Sequence, residues 1–106
     1  MDLFPLADVL ALAGGPYREF LRVPDLSVGL YVLGAGAVDR QSPHAEDEVY
    51  VVMAGRGRFT AGDDTRAIGP GDTIYVAAAV AHRFHDITQE LQLLVVFAPP
   101  EASRKG

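Results

Sequence analysis

His44 and Glu48 stand four residues apart in Pro43-His44-Ala45-Glu46-Asp47-Glu48-Val49-Tyr50, and a further histidine follows in Val80-Ala81-His82-Arg83-Phe84. Successive side chains on a strand alternate faces, so on one strand positions 44 and 48 share a face. Two imidazoles and a carboxylate on a common face form a ligand set for a divalent metal and leave coordination positions open, as in non-haem Fe(II) oxygenases and some catalytic zinc sites. Iron, manganese, nickel and zinc all suit it, and with no cysteine in the chain the donors do not rank them. Each residue also has an ordinary role: an inward histidine as a hydrogen-bonded core residue, Glu46-Asp47-Glu48 as a solvated acidic turn. Burying Glu48 without a partner is costly, however, and a metal relieves that cost.

Neighbouring positions extend the set. Tyr50, Val52 and Phe84 share parity with the proposed ligands and should line the interior, as barrel filling or as substrate contacts. Tyr31 is a weaker lining candidate. Ser42 has the parity of His44, and its hydroxyl can hold a metal-bound water. Gln41 becomes a weak carbonyl-oxygen ligand if Pro43 breaks the strand alternation. His85, three residues after His82, faces the other way and suits a structural hydrogen bond. Arg40 fits a solvated loop or, at a barrel mouth, a partner for an anionic substrate.

The elements that position these residues read as strands. Residues 6–13 form a short helix between Pro5 and Gly14-Gly15. From residue 20 onward the strand signals are Leu26–Val32, Glu48–Ala54, Arg58–Ala61, Thr65–Ile68, Thr73–Val76, His82–His85 and Leu91–Phe97. Gly55-Arg56-Gly57 reads as a sharp reversal, Gly62-Asp63-Asp64 as a hairpin turn and Gly69-Pro70-Gly71-Asp72 as another reversal. Ala77–Ala81 is a connection despite its helical propensity. The expected organisation is one domain over 1–106: an N-terminal helical segment 1–19, a barrel 20–100 and a flexible tail 101–106.

Composition narrows the function classes. A chain of 106 residues, 49% hydrophobic and 22% charged, suits a single globular core. Its formal net charge of −5 argues against nucleic acid or an anionic membrane as partner. No apolar run approaches the roughly 20 residues that span a bilayer, and the acidic start lacks a targeting pattern, so a cytoplasmic location is expected.

Two runs carry a family resemblance. Gly36, His44, Glu48 and Gly55 fall in register with the first cupin motif: glycine, five residues, His-x-His, three or four residues, Glu, six residues, glycine. Gly71, His82 and Asp86 follow the second: glycine, five residues, Pro-x-Gly, two residues, His, three residues, Asn. Ser42 replaces the first histidine, Ala77 and Ala79 replace the proline and glycine, and Asp86 replaces the asparagine. The chain thus resembles a small single-domain cupin of the conserved-barrel type. That implies an all-β fold: a small antiparallel jelly-roll β-barrel (double-stranded β-helix) after the short N-terminal helix. It also implies a homodimer, which would cover exposed edge strands such as Leu26–Val32.

With Ser42 in place of a ligand, the implied metal set is His44, Glu48 and His82, with Gln41 as an additional candidate. The leading expectation is a metal-binding protein acting on a small organic molecule inside the barrel, as a non-haem dioxygenase or with isomerase or lyase chemistry. The alternatives are a non-catalytic small-molecule-binding or sensing module and a storage-like relic of the barrel. Tyr50 and Glu46 are the candidates for a general base outside the ligand set.

Overall fold

A computed structural model describes residues 1–41 and 43–103. The expectation for Ser42 and the last three residues of the tail lie outside them. Helix α1 (Leu6–Leu10) is shorter than the expected 6–13, because only Val9 is buried and nothing supports a further turn. Strand β1 (Tyr17–Val23) begins three residues before the expected boundary and lies against β2 (Leu26–Leu33). β1 therefore takes the sheet edge that was expected of Leu26–Val32. β2 sits inside the sheet, paired on its other side with β6 (His82–Ala98). β6 pairs with β3 (Asp47–Ala61), and β3 carries both β4 (Asp64–Ile68) and β5 (Thr73–Val76). Every pairing is antiparallel.

The principal departure from expectation is continuity. Gly55-Arg56-Gly57 does not reverse the chain, and His82–His85 and Leu91–Phe97 are not separate strands. β3 runs unbroken for 15 residues and β6 for 17. The glycines absorb a bend instead of a turn. Gly55 has φ +97°, the β3–β6 register shifts three times between Val52 and Arg58, and a Cβ at Gly55 would collide with the Glu90 carbonyl oxygen. Asp86, at φ +48°, bends β6, and Asp and Asn tolerate that region better than most residues. The true reversal is the two-residue Gly62-Asp63 turn between β3 and β4, as expected.

These bends close the barrel. Glu48 pairs with Phe97 and Ala61 with His82, so Glu48 and His82 lie 61 − 48 = 13 positions apart along the ladder. A flat sheet would separate them by roughly 40 Å. Their side chains meet at 3.1 Å, so the sheet has curled round and they touch across the interior. Phe59, Phe84, Ile87, Leu91, Leu93 and Val52 fill the space beside them.

The C-terminal residues are tied down as far as they are described. Glu101 N–H donates to Ser27 Oγ at 2.8 Å and Ala102 N–H to Glu46 Oε1 at 3.1 Å, which fastens the Glu101–Ser103 turn to the barrel.

Candidate metal centre

His44 is not on a strand. β3 begins only at Asp47, and a bend at Ala45-Glu46 carries His44 over Glu48, so loop geometry rather than alternation brings the pair together. The turn before His82 holds that loop in place. Ala79 N–H donates to the His44 carbonyl at 2.6 Å and Ala78 N–H to Asp47 Oδ1 at 2.8 Å. Alternation does govern the next positions: Glu48, Tyr50 and Val52 all point inward and are almost fully buried.

One ligand atom each from His44, Glu48 and His82 lie within 4.8 Å of one another. Glu48 Oε1 is 3.1 Å from His82 Nε2 and 3.7 Å from His44 Nε2. With metal–ligand bonds near 2.1 Å, neighbouring donors stand about 3.0–3.4 Å apart, so the three atoms are close to a ligating arrangement. The chemistry of the donors agrees. His82 Nδ1–H donates to the Val80 carbonyl at 2.8 Å, which leaves the Nε2 lone pair of the neutral ring facing Glu48. Two lone pairs at 3.1 Å need a proton or a cation between them. Burial works against charge on His82, but the Glu48 carboxylate and the Val80 carbonyl outweigh it and raise its pKa. Glu48 Oε2 is buried with no hydrogen-bond partner among the described residues, which a second ligand atom or a cation would relieve.

Around this triad runs a polar network. Tyr50 O–H donates to Gln41 Oε1 at 3.0 Å, with its oxygen 3.1 Å from His82 Nε2. Gln41 Nε2 donates to Asp39 Oδ2 at 2.9 Å, so the amide turns its oxygen toward Tyr50 and toward His44 Nε2, 3.4 Å away. Asp39 also accepts from Tyr31 O–H at 2.6 Å and from Phe84 N–H at 2.9 Å. Burial, reinforced by Glu48 for Tyr50 and by Asp39 for Tyr31, lifts both phenols far above their usual pKa. Both phenols are therefore held as neutral donors. Beside the network lies a cavity of about 400 Å³, lined among others by Tyr31, His44, Tyr50 and Phe97.

Residues 29–97 match the family model described as Cupin domain. The chain belongs to the cupin family. This cupin is 52% identical over 88 residues to the uncharacterized protein SCO3923 of Streptomyces coelicolor, a match that covers 83% of this chain and 84% of that one. Among solved structures it is similar to BH2720 from Bacillus halodurans, with a TM-score of 0.83 and 19% identity over 99% of this chain and 86% of that one. It also resembles the DMSP lyase DddQ from Ruegeria pomeroyi, with a TM-score of 0.69 and 21% identity over 79% of this chain but only 42% of the lyase. At those identities the two structures speak for a shared architecture alone. Structural neighbours named as double-stranded β-helix cupins agree with the expected fold class.

Of the residues singled out from the sequence, the cupin fold brings His44, Glu48, His82, Gln41, Tyr50 and Tyr31 together. Phe84 is placed otherwise: it is a core residue, 4.5 Å from the Phe59 ring centroid, and its backbone N–H rather than its ring serves the site. Glu46 is buried but anchors the C-terminal turn and does not line the cavity. His85 bonds Thr60 Oγ1 at 2.7 Å and pairs with Asp86, apart from His44, Glu48 and His82. Asp39 is the residue that sequence reasoning missed. It sits in a loop without periodicity, and its one signal was an acidic residue a few positions after the Gly34-Ala35-Gly36 turn. No helix among the described residues is long and apolar enough to cross a membrane.

Proposed function

We propose that this cupin holds a divalent transition metal on His44, Glu48 and His82, with the Gln41 carbonyl oxygen as a further donor. It would use that metal on a small organic molecule bound in the adjoining cavity. The observation that carries the reading is the meeting of Glu48 Oε1 with the lone pair of His82 Nε2 inside the barrel, while Glu48 Oε2 is buried with no partner among the described residues. A bound divalent ion supplies Lewis acidity there and, if it is iron, a centre for oxygen activation. The chain's own groups do the rest. Val80 fixes the His82 tautomer, Asp39 aims the Gln41 oxygen, and the neutral Tyr50 hydroxyl holds that oxygen by donating to it. A dioxygenase or a lyase or isomerase fits this apparatus, and oxygen uptake in the presence of Fe(II) separates the first from the others.

The test of the site is metal analysis of the purified protein beside His44→Ala and His82→Ala. About one equivalent is expected in the parent and a large loss in both variants, whereas equal content in all three removes the site. A second reading, a non-catalytic binding module, draws on Ser42 standing where the family motif has its first histidine. It requires ligand binding that is indifferent to chelator.

A homodimer belongs to the same proposal. Leu3, Phe4, Leu6, Leu10 and Val23 are exposed, the Phe4 ring packs 5.0 Å from Phe20 of β1, and β1 ends the strand order on its side. Mass measurement by light scattering should give twice 11.3 kDa, and a monomer at micromolar concentration would refute it.

A further inference from the structure

We infer that the cavity beside His44 is built for a small organic carboxylate with an apolar body, and that Arg40 binds its carboxylate group. This names the substrate class of the site proposed above and rests on that reading for the chemistry that follows binding. The body of the ligand is dictated by the walls. Tyr17, Tyr31, Val95 and Phe97 line the cavity, and Tyr17 stands edge-on to Tyr31 and Phe97 at centroid distances of 6.4 and 5.9 Å. Such a surface rewards an aliphatic or aromatic group and leaves a charged one unsolvated.

Its polar end is dictated by Arg40. Arg40 is the only lysine or arginine among the described residues that line this cavity. Like the exposed Arg56, Arg58 and Arg83, it forms no side-chain hydrogen bond or ion pair with any described residue; its place on the cavity wall sets it apart from them. The adjacent Asp39 is turned inward and saturated by Tyr31, Gln41 and Phe84, so it cannot neutralise Arg40. The same bonds fix the backbone on either side: Asp39 is tied to β6 and Gln41 to Tyr50. Arg40 is thus carried at a fixed place on the rim although its loop has no regular structure. A guanidinium presents a planar fork that matches a carboxylate, and the pair strengthens beside an apolar wall that excludes water. Glu101 also lines the cavity and would repel that carboxylate; an amine would find Glu101 favourable and Arg40 unfavourable.

The experiment compares three probes of one shape, 3-phenylpropanoate, 3-phenylpropanol and 3-phenylpropylamine. Calorimetry or NMR titration would be run on zinc-loaded and on chelator-treated full-length protein. The carboxylate is expected to bind about tenfold or more tighter than the alcohol, the worth of one charge-assisted contact, with the amine weakest. Arg40→Gln should abolish the preference while leaving alcohol binding and zinc content unchanged. Arg40→Lys should restore part of the preference. Tightest binding of the amine, or no binding of any probe, overturns the inference. So does a preference that survives Arg40→Gln and disappears with chelator, because the carboxylate would then be held by metal alone. A preference seen without metal and lost in Arg40→Gln supports Arg40 even if the parent retains no metal, so the two proposals fail separately.

Discussion

Phe59, Phe84, Ile87 and Leu91 occupy one part of the barrel interior, and Glu48, Tyr50, His82 and Gln41 occupy another, yet β3 and β6 contribute to both. In the first region buried rings meet at 4.5 Å and every side chain is satisfied by contact. In the second, Glu48 Oε2 is buried with no hydrogen-bond partner among the described residues, while Oε1 of the same carboxylate faces the His82 imidazole. The first region supplies the stability, and the second spends part of it to keep polar atoms in a place they would not choose unaided. Such an arrangement persists only if something selects for it, and a bound cation is the group that would reconcile it.

The widest gap between the two regions should appear on substitution. Phe84→Ala removes a fully buried ring and is expected to cost about 3–5 kcal/mol in urea unfolding. In chelator Glu48→Gln should cost about 1 kcal/mol or less, because losing the Glu48 Oε1–His82 Nε2 contact is offset by removing a buried carboxylate whose Oε2 has no partner among the described residues. Added zinc widens that difference. At a hundredfold excess over its dissociation constant, metal should stabilise the parent by about 2.7 kcal/mol and Glu48→Gln hardly at all. If Glu48→Gln is strongly destabilised without metal, Glu48 already has a structural partner and the contrast between the regions is lost.

The two regions were also unequally legible. Inward positions of β3 and β6 followed from alternation, which is how Tyr50, Val52 and Phe84 were placed inside. Alternation could not show that both strands continue through glycine-rich stretches. Gly55 reads as a turn in sequence and acts as a bulge only because β6 passes against it. Spacing and residue type single out His44, Glu48 and His82, but alternation does not account for His44, which meets Glu48 from a loop. Asp39 was invisible because its partners Tyr31 and Phe84 are 8 and 45 residues away.

Asp39 tests whether the polar region needs its support. Asp39→Ala leaves the Tyr31 hydroxyl, the Gln41 amide and the Phe84 N–H without their shared acceptor, at an expected cost of about 1–3 kcal/mol. Because the freed Gln41 amide can turn over, zinc affinity measured by competition with a chelating dye should fall as well. Gln41→Ala should lower zinc affinity with a smaller effect on unfolding. Unchanged affinity in both variants would confine Gln41 and Asp39 to holding the loop.

The smallest effect concerns the turn that joins the two regions. Ala79 stands where the family motif has glycine, and its φ of +67° lies in the left-handed region that costs an alanine about 1–2 kcal/mol. Glycine relieves that strain but loosens the unfolded chain by about 0.4–1 kcal/mol. Ala79→Gly should therefore stabilise by roughly 0.5–1 kcal/mol, read as a higher urea midpoint with an unchanged slope. Zinc affinity should stay the same, because the bond from residue 79 N–H to the His44 carbonyl is kept. A loss of stability would mean that position 79 does not adopt this conformation, and the tie that brings His82 to His44 would have to be drawn differently.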